Sequence, residues 1–309
     1  MQTEIYNAKP VVKWAGGKRQ LLEQFNTLYP DALNNNQIDK YVEPFVGGGA
    51  VFFELLNRFE FKEIILNDIN EELILTYRII KEEVDDLIEL LREYEEEYIH
   101  LSLEKRKDYY YKKRTLFNTE KKEIDYDNID QNTVKHASNF IFLNRTCFNG
   151  LYRQNKKGEF NVPIGRYKKP TICDKEGLET ASQSFENCIL ISSDFEKTEQ
   201  YIDKRTFVYM DPPYRPLPGT PSFTKYSKAD FNEQSQIRLA NWFKKLDRGK
   251  NKPYLMLSNS NPKNNDPDDD FFEEKYYGFD IKKVYAKRVI NSKGAKRGEI
   301  SELVIRNYR

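Results

Sequence analysis

The sequence contains few of the residues on which metal and thiol chemistry depend. It has two histidines and three cysteines among 309 residues. The cysteines are odd in number and show no CxxC spacing, which argues against a disulfide framework or a zinc ribbon. His100 and His136 lie in helical patterns far from the acidic motif described below, so we interpret them as ordinary polar or core residues. We therefore expect no metal site.

Long apolar runs are also absent. No run approaches the roughly 20 residues of a membrane span, and the N-terminal MQTEIYNAKPVV has no basic region followed by a long apolar one. We expect a cytoplasmic protein in a reducing compartment, with no membrane as partner. Hydrophobic residues make up 39% and aromatic residues 14% of the chain, enough for a buried core despite 32% charged residues.

The net charge of +1 conceals a separation of acidic from basic segments. Residues 82–97 hold nine acidic side chains and one arginine. Residues 153–169 hold six lysines and arginines against one glutamate, and residues 282–297 hold seven and no acid. Solvated surface alone would explain any one of these segments. Basic segments can also contact phosphates while the total charge stays near zero.

Short apolar and β-branched runs alternate with helical patterns, which predicts an α/β fold with an open, mostly parallel sheet. Helical spacing begins at Gln20 and again at Phe231. Ligands of such sheets bind at the carboxyl ends of the strands, where Glu43, Asp68, Asp194 and Asp211 fall. The predicted strands cover residues 41–45, 63–68, 188–194, 206–213 and 253–260, with two more at 280–290 and 299–308 joined by a basic loop.

Residues 70–169 interrupt this alternation. They contain a long acidic amphipathic helix from Leu73 to Leu91, a charged Lys/Tyr-rich segment and a second helix near 133–143. Turn-forming residues from Asn155 to Gly158 predict a basic hairpin or loop at the end. We predict an inserted, mostly helical domain over 70–169, and a second domain built from 1–69 and 170–309.

Three consecutive glycines, Gly47 to Gly49, separate a predicted strand from an apolar helix. Such a loop lets the backbone approach a ligand, although a tight turn would also explain it. Asp68 follows Gly48 by 20 residues and ends the next strand. An acid in this place can accept both ribose hydroxyls of an adenosine. KWAGGKRQ lacks the Ser or Thr of a phosphate-binding P-loop, so we expect its Gly-Gly turn to direct Trp14 and Lys18 into one pocket.

The segment VYMDPPY (208–214) places a carboxylate, a rigid turn and an aromatic ring at the end of a strand. An aromatic amine is a poor nucleophile because its lone pair is delocalised into the ring. The Asp211 carboxylate and the Pro212 carbonyl could accept both amine hydrogens while Tyr214 stacks on the base. Stacking contributes about 1 to 3 kcal/mol per base. We interpret Asp211, Pro212 and Tyr214 as catalytic, although a strand ending in a proline turn would look similar.

Five motifs in order, KWAGGK, EPFVGGG, NDIN (67–70), SDF (193–195) and DPPY, resemble the Dam-like DNA adenine-N6 methyltransferases over nearly the whole chain. The resemblance implies a Rossmann-like methyltransferase sheet, S-adenosylmethionine as cofactor and an inserted domain that recognises double-stranded DNA. It implies that Asp194 and Phe195 lie near the adenine of the cofactor. The full set of cofactor residues implied is Trp14, Lys18, Pro44, Phe45, Gly47, Gly49, Asp68, Asp194, Phe195 and Asp211.

The segment FNGLYRQNKKGEFNVPIGRYKKP (148–170) resembles the DNA-reading loop of the GATC-specific members. The similarity implies that Arg153 reads guanine and that Leu151 and Pro163 pack against thymine. It also implies that Phe148 and Asn149 insert where the target adenine is expelled. It implies that Lys13 contacts an outer base. We assign Lys156, Arg166 and Lys169, which lie in the basic segment, to phosphates.

The residues that follow DPPY resemble the restriction–modification members, which implies a restriction endonuclease that acts on the same GATC sites without forming a stable complex. Two alternatives stay open. Methylation of the exocyclic amine of cytosine would use the same pocket, although Asp rather than Ser at position 211 favours adenine. A DNA-binding protein without catalysis could use the same fold. No cysteine precedes a proline, which argues against a ring-carbon cytosine methyltransferase.

Overall fold

A computed structural model describes residues 7–215, 231–287 and 299–309. The basic loop predicted at 291–298 lies outside these ranges, as does most of the segment after DPPY. Seven strands occur in the described residues, and each matches a segment predicted from the sequence to within a few residues. They are β1 (Lys40–Glu43), β2 (Glu63–Asn67), β3 (Cys188–Ile191), β4 (Thr206–Met210), β5 (Tyr254–Ser260), β6 (Asp280–Lys287) and β7 (Glu299–Arg306).

The strands form one sheet in the order β3-β2-β1-β4-β5-β7-β6. The first five pair in parallel, whereas β7 pairs antiparallel with both β5 and β6. Because the parallel strands point the same way, Asp68 and Asp211 emerge at the same edge of the sheet. The sheet confirms the predicted α/β, Rossmann-like fold.

Helices accompany the sheet and form most of the inserted segment. They are α1 (Leu22–Phe25), α2 (Ala50–Leu56), α3 (Glu71–Glu82), α4 (Val84–Ile99), α5 (Leu103–Glu120), α6 (Gln131–Thr146), α7 (Lys175–Phe185), α8 (Glu233–Arg248) and α9 (Phe271–Lys275). Short 3₁₀ turns lie at 18–20, 31–33, 148–150, 195–201 and 262–264. None of the helices in these ranges is long and apolar enough to cross a membrane.

The core lies on both faces of the sheet, because successive strand residues point to opposite sides. Tyr41 and Phe207 belong to one buried cluster, which includes side chains of α2, α3 and α7. Val42 and Val208, their neighbours in sequence, belong to a second cluster with side chains of α8 and α9. The central strands β1 and β4 are therefore covered on both sides, and this explains why they are continuous apolar runs in the sequence.

Two helical predictions differ from the structure, and one helix was not predicted. The helix expected from Gln20 ends at Phe25, where Asn26 and Thr27 follow and Pro30 disfavours a helical residue before it. The long acidic helix is broken at Glu83, whose φ of −134° and ψ of 40° separate α3 from α4. The Lys/Tyr-rich segment forms α5, which begins at the capping residue Ser102.

The end of the inserted segment is a loop with antiparallel pairing at two points. Isolated bridges join Cys147 to Ile164 and Gln154 to Phe160. Between the second pair, Asn155 accepts a 2.9 Å hydrogen bond from the Gly158 amide, which closes the predicted turn. The predicted hairpin is therefore present as a turn with two bridges rather than as continuous strands. The domain boundary at 70–169 stays a prediction.

Candidate active site

Asp211 lies at the carboxyl end of β4, directly after five buried residues. Its side chain is 19% exposed, and the Nζ atom of Lys18 lies 2.5 and 2.6 Å from its two carboxylate oxygens. Ser258, on the neighbouring strand β5, donates a 3.3 Å hydrogen bond to Oδ1. The hydroxyl of Tyr209 lies 2.8 Å from the same serine hydroxyl. The carboxylate is thus fixed by the adjoining strand and by one buried cation.

Lys18 connects several groups of the site, although only 2% of its side chain is exposed. Its Nζ atom donates 3.0 Å hydrogen bonds to the Gly16 carbonyl and to the Tyr214 hydroxyl. Burial lowers the pKa of Lys18, but the nearby Asp211, Tyr214 and Glu302 raise this pKa by more, so the ammonium stays protonated. Burial also raises the pKa of Asp211, and Lys18 opposes that increase.

The proline turn after Asp211 is tied to α8. Gln236 is buried in that helix, and its Nε2 donates a 2.7 Å hydrogen bond to the Pro213 carbonyl. Its Oε1 accepts a 3.4 Å hydrogen bond from Asn259 of β5. Helix α8 therefore holds the turn that carries Tyr214, and Asn259 of β5 orients the glutamine that makes the contact.

Replacing Gln236 with Leu is expected to lower the free energy of unfolding by about 1 to 3 kcal/mol, because the Pro213 carbonyl loses its donor. Urea unfolding of the variant and of the wild-type protein measures this loss. Gln234 is exposed on the same helix, so Gln234→Leu is a matched control with an unchanged midpoint. Equal losses in the two variants would mean that helix propensity, and not the bond to Pro213, sets the effect.

The glycine loop and Asp68 lie together, as predicted. The Asp68 carboxylate accepts hydrogen bonds from the backbone amides of Gly47 at 3.0 Å and Asn70 at 2.9 Å. A β-carbon at Gly47, whose φ is +47°, would lie 2.8 Å from Cδ1 of Trp14, so the loop requires glycine here. Burial raises the pKa of Asp68 to about 6, against the lowering effect of the backbone hydrogen bonds.

Two further predicted cofactor residues, Phe45 and Phe195, belong to an aromatic cluster beside this loop. Their ring centroids lie 5.4 Å apart. Asp194 begins the 3₁₀ turn at 195–201 and forms an ion pair with Arg238 of α8. The guanidinium of Arg238 lies 4.3 Å from the centroid of the Phe195 ring. Pro44 accepts a 2.8 Å hydrogen bond through its carbonyl from the Asn67 side chain.

Phe148 and Asn149 follow α6 at the start of the predicted DNA-reading loop. Phe148 is 49% exposed, and Asn149 has a φ of +56°, in the left-handed region. The amide of Phe148 donates a 2.8 Å hydrogen bond to the carbonyl of Pro163, so the two ends of the loop are joined. The backbone at Phe148 is therefore fixed, and its ring is exposed.

Lys13 reaches this loop from the N-terminal segment. Asn144 of α6 both accepts a 2.8 Å hydrogen bond from the Lys13 amide and donates one of 2.8 Å to its carbonyl. The Nζ atom of Lys13 lies 4.3 Å from the centroid of the Tyr167 ring. A β-carbon at Gly150 would lie 2.6 Å from the Lys13 Cβ, which explains glycine at that position. The structure thus joins Lys13 to a segment more than 130 residues away.

Arg153 is exposed in the same loop. Its Nε donates a 2.8 Å hydrogen bond to the side-chain oxygen of Asn161, which orients the guanidinium. Leu151 is partly buried against the core, whereas Pro163 is exposed. Among the described residues, no acidic side chain forms an ion pair with any of four exposed cations of the loop, namely Arg153, Lys156, Arg166 and Lys169.

Sequence reasoning missed three residues around Asp211: Ser258, Gln236 and Glu302. Ser258 and Glu302 lie on other strands, far from Asp211 in sequence, and Gln236 contacts the turn only through tertiary packing. A partial signal existed for Glu302, because alternation in β7 places it on the same face as the buried Val304. A charged residue on an apolar face indicates a partner or a function.

The two histidines lie apart from this site. His136 is buried in α6 and stacks on Phe117, with ring centroids 4.4 Å apart, and burial lowers its pKa to about 3. His100 follows the last turn of α4. Within the part of the chain that the structure describes, no group of three or more His, Cys, Asp or Glu side chains is arranged to hold a metal ion.

Comparison with known proteins identifies the family. A family model described as D12 class N6 adenine-specific DNA methyltransferase matches residues 14–290. A type II methyltransferase of Methanocaldococcus jannaschii, M.MjaIII, is 52% identical over 97% of this chain and 99% of its own length. The type II methyltransferase M1.LlaDCHI of Lactococcus lactis subsp. cremoris is 39% identical over 100% of this chain and 98% of its own. A DNA adenine methylase of Haemophilus influenzae is 35% identical over 96% and 92%, respectively.

These matches cover both the sheet and the inserted segment. They favour the adenine amine over the cytosine amine, and an enzyme over a DNA-binding protein without catalysis. The relatives include both type II methyltransferases and a DNA adenine methylase, so they do not decide whether this chain is of the restriction–modification type. The chain belongs to the D12 class of N6 adenine-specific DNA methyltransferases.

Proposed function

We propose that this DNA adenine methyltransferase modifies the adenine of GATC in double-stranded DNA, with S-adenosylmethionine as donor, after rotating the adenine out of the helix. The observation that carries the proposal is the placement of Asp211 and Tyr214 at the same sheet edge as Asp68 and the glycine loop. A donor site and an acceptor for an aromatic amine therefore adjoin each other.

The residues of the glycine loop and Asp68 fit the proposed donor. Two backbone amides already orient the Asp68 carboxylate, which keeps lone pairs for ribose hydroxyls. A β-carbon would lie 2.8 Å from Trp14 at Gly47 and 3.0 Å from it at Gly48, so the glycines let the loop pack directly against Trp14. Ile69, next in sequence, is 52% exposed and offers an apolar surface to the adenine ring of the donor. When bound, S-adenosylmethionine supplies an electrophilic methyl group on a sulfonium.

We assign Asp211 and the Pro212 carbonyl to hold the hydrogens of the adenine amine. Accepting these hydrogens moves the nitrogen toward tetrahedral geometry and localises its lone pair for attack. A C–N bond then forms as the methyl–sulfur bond breaks, and the nitrogen releases its extra proton. Tyr214, held by Lys18, is assigned to stack on the rotated base, which helps offset the few kcal/mol of unstacking.

We assign DNA recognition to residues 70–169 and the chemistry to 1–69 and 170–309. The exposed ring of Phe148 supports the role of filling the space left by the adenine. Arg153, oriented by Asn161, is assigned to guanine, and Leu151 and Pro163 to thymine. The exposed Lys156, Arg166 and Lys169 are assigned to phosphates, and Lys13 to an outer base.

The GATC assignment is tested by transfer of a tritiated methyl group to short duplexes. Label is expected in the adenine of GATC. Plasmid incubated with the protein should resist a nuclease that cuts unmodified GATC, but only when S-adenosylmethionine was added. Duplexes with one altered base in the site are the controls. Label in cytosine, or equal label in all duplexes, would refute the assignment. We also propose a separate restriction endonuclease that acts on the same sites.

Donor binding is expected to weaken at acidic pH, because the pKa of Asp68 is about 6. The carboxylate is ionised above this pH and accepts the ribose hydroxyls, whereas below it protonation removes acceptor capacity. The dissociation constant for S-adenosylmethionine should therefore rise by about tenfold per pH unit below pH 6. Isothermal titration calorimetry from pH 5 to 8 measures this dependence.

The variant Asp68→Asn separates this group from other acids of the site, such as Glu43 and Asp211. The affinity of this variant for S-adenosylmethionine should be lower than that of the wild-type protein and should no longer change with pH near 6. A wild-type affinity that stays constant from pH 8 to 5 would contradict the role given to the ionised carboxylate.

A further inference from the structure

Glu302 is a second carboxylate beside Lys18. It lies on β7, its side chain is 14% exposed, and its Oε2 atom is 3.8 Å from the Lys18 Nζ. This oxygen is buried and makes no hydrogen bond within the described residues. Lys18, in contrast, is within 2.6 Å of both oxygens of Asp211. One ammonium thus lies between two acids and binds only one of them closely.

The sheet explains how Glu302 reaches this place. The strand β5 lies between β4, which ends at Asp211, and β7. Glu302 is opposite Ser260 in the β5–β7 pairing, and Val304 is opposite Ser258. Alternation therefore places Glu302 on the same face as Ser258, which donates to Asp211. Lys18 passes over this face from the N-terminal segment.

The observed pairing weakens Asp211 as an acceptor. Oδ1 accepts hydrogen bonds from Lys18 and Ser258, and Oδ2 accepts one from Lys18 and keeps a lone pair for the adenine amine. The close ammonium neutralises the carboxylate, so Asp211 becomes a stronger acceptor when Lys18 moves away from it. A buried ammonium without a partner is strongly destabilised, so it needs another anion nearby.

We propose that Glu302 is a positioning residue that receives the ammonium of Lys18 when the target adenine engages Asp211. This inference rests on the proposed function of Asp211. A shift of about 1 Å would bring Lys18 and Glu302 to the distance of about 2.8 Å typical of charged hydrogen bonds. The catalytic carboxylate is thereby exposed to its substrate while the cation keeps a buried partner throughout.

The isosteric variant Glu302→Gln tests this exchange, because it keeps the shape of the side chain and removes its charge. The rate of a single turnover at saturating DNA and donor is expected to fall by about tenfold to a hundredfold. This range corresponds to the net free energy of one hydrogen bond to a charged group. The dissociation constants for DNA and S-adenosylmethionine should change by less than about threefold. Rates are normalised to the fraction of chains that bind donor, so partial misfolding does not mimic the loss.

Two further variants separate charge from packing. Glu302→Asp keeps the negative charge and should retain more activity than Glu302→Gln. Glu274, exposed on α9, gives the matched control Glu274→Gln, which should have the wild-type rate. Equal losses in the Asp and Gln variants would overturn the proposal, since packing would then explain the effect.

The dependence on Lys18 is tested in a Lys18→Met background. There, Glu302→Gln should cause little additional loss, because the cation that Glu302 receives is absent. A wild-type rate in Glu302→Gln, or the same proportional loss in both backgrounds, would overturn the proposal. If Asp211→Asn is inactive while Glu302→Gln is fully active, the inference fails and the proposed function stands. If Asp211→Asn is active, the proposed role of Asp211 fails, and this inference fails with it.

Discussion

Asp211→Asn is expected to reduce the rate of methyl transfer by about a hundredfold to ten-thousandfold, the range for removing a positioned acceptor from a transition state. The amide has the size of the carboxylate but only one acceptor oxygen and no charge. It cannot hold the amine of adenine in the geometry that localises the lone pair. Single-turnover transfer of a tritiated methyl group to duplex DNA measures the rate.

The binding of DNA should change little in this variant, because the assigned DNA contacts lie in the 148–170 loop and at Lys13. Asp268→Asn is the matched control, since Asp268 is exposed on a loop and lies outside the site. Turnover within a few-fold of wild type would reject the catalytic role of Asp211. A parallel loss of DNA affinity would instead point to a disturbed fold, because Lys18 would lose its close ion pair.

Arg153→Ala is expected to reduce discrimination against one base of the recognition sequence by about 1 to 3 kcal/mol, or about tenfold to a hundredfold. Arg153 is exposed and its guanidinium is held by Asn161, so its orientation is set before DNA binds. A guanidinium can donate two hydrogen bonds to guanine O6 and N7, which no other base accepts in the same way. The ratio of kcat/KM on GATC to that on duplexes altered at the guanine measures this discrimination.

Arg166→Ala is the matched control for Arg153→Ala, because both arginines are exposed in the same loop. Loss of a phosphate contact should weaken binding to every sequence alike and reduce the salt dependence of binding. If Arg153→Ala behaves in the same way, with equal losses on all duplexes, Arg153 contacts a phosphate rather than a base.

Lys18 links the N-terminal segment, Asp211 and the C-terminal strands. It bonds to Asp211 and Tyr214, and it lies near Glu302. The N-terminal segment that carries it also carries Trp14 and Lys13, which contact the glycine loop and the 148–170 loop, respectively.

The parallel strands were predictable because they are covered on both faces, which makes them continuous apolar runs. Helix α8 was predictable for a similar reason, since its apolar residues recur at helical spacing. Helix α5 was not, because only Tyr110 and Phe117 are buried along its 18 residues and the periodic signal is weak. The break at Glu83 was also hidden, because the apolar pattern continues through it.

The sequence by itself determined the chemical groups of the site and their order along the chain. The short spacing in KWAGGK and DPPY allowed Lys18 to be assigned to a pocket and Asp211 to the end of a strand. Only the tertiary structure decided which groups surround them. Ser258, Gln236 and Glu302 reach the site through strand order and helix packing, which depend on contacts between residues far apart in sequence. The same contacts set the ion pair of Lys18 with Asp211, since two charges separated by 193 residues meet only when the sheet has formed.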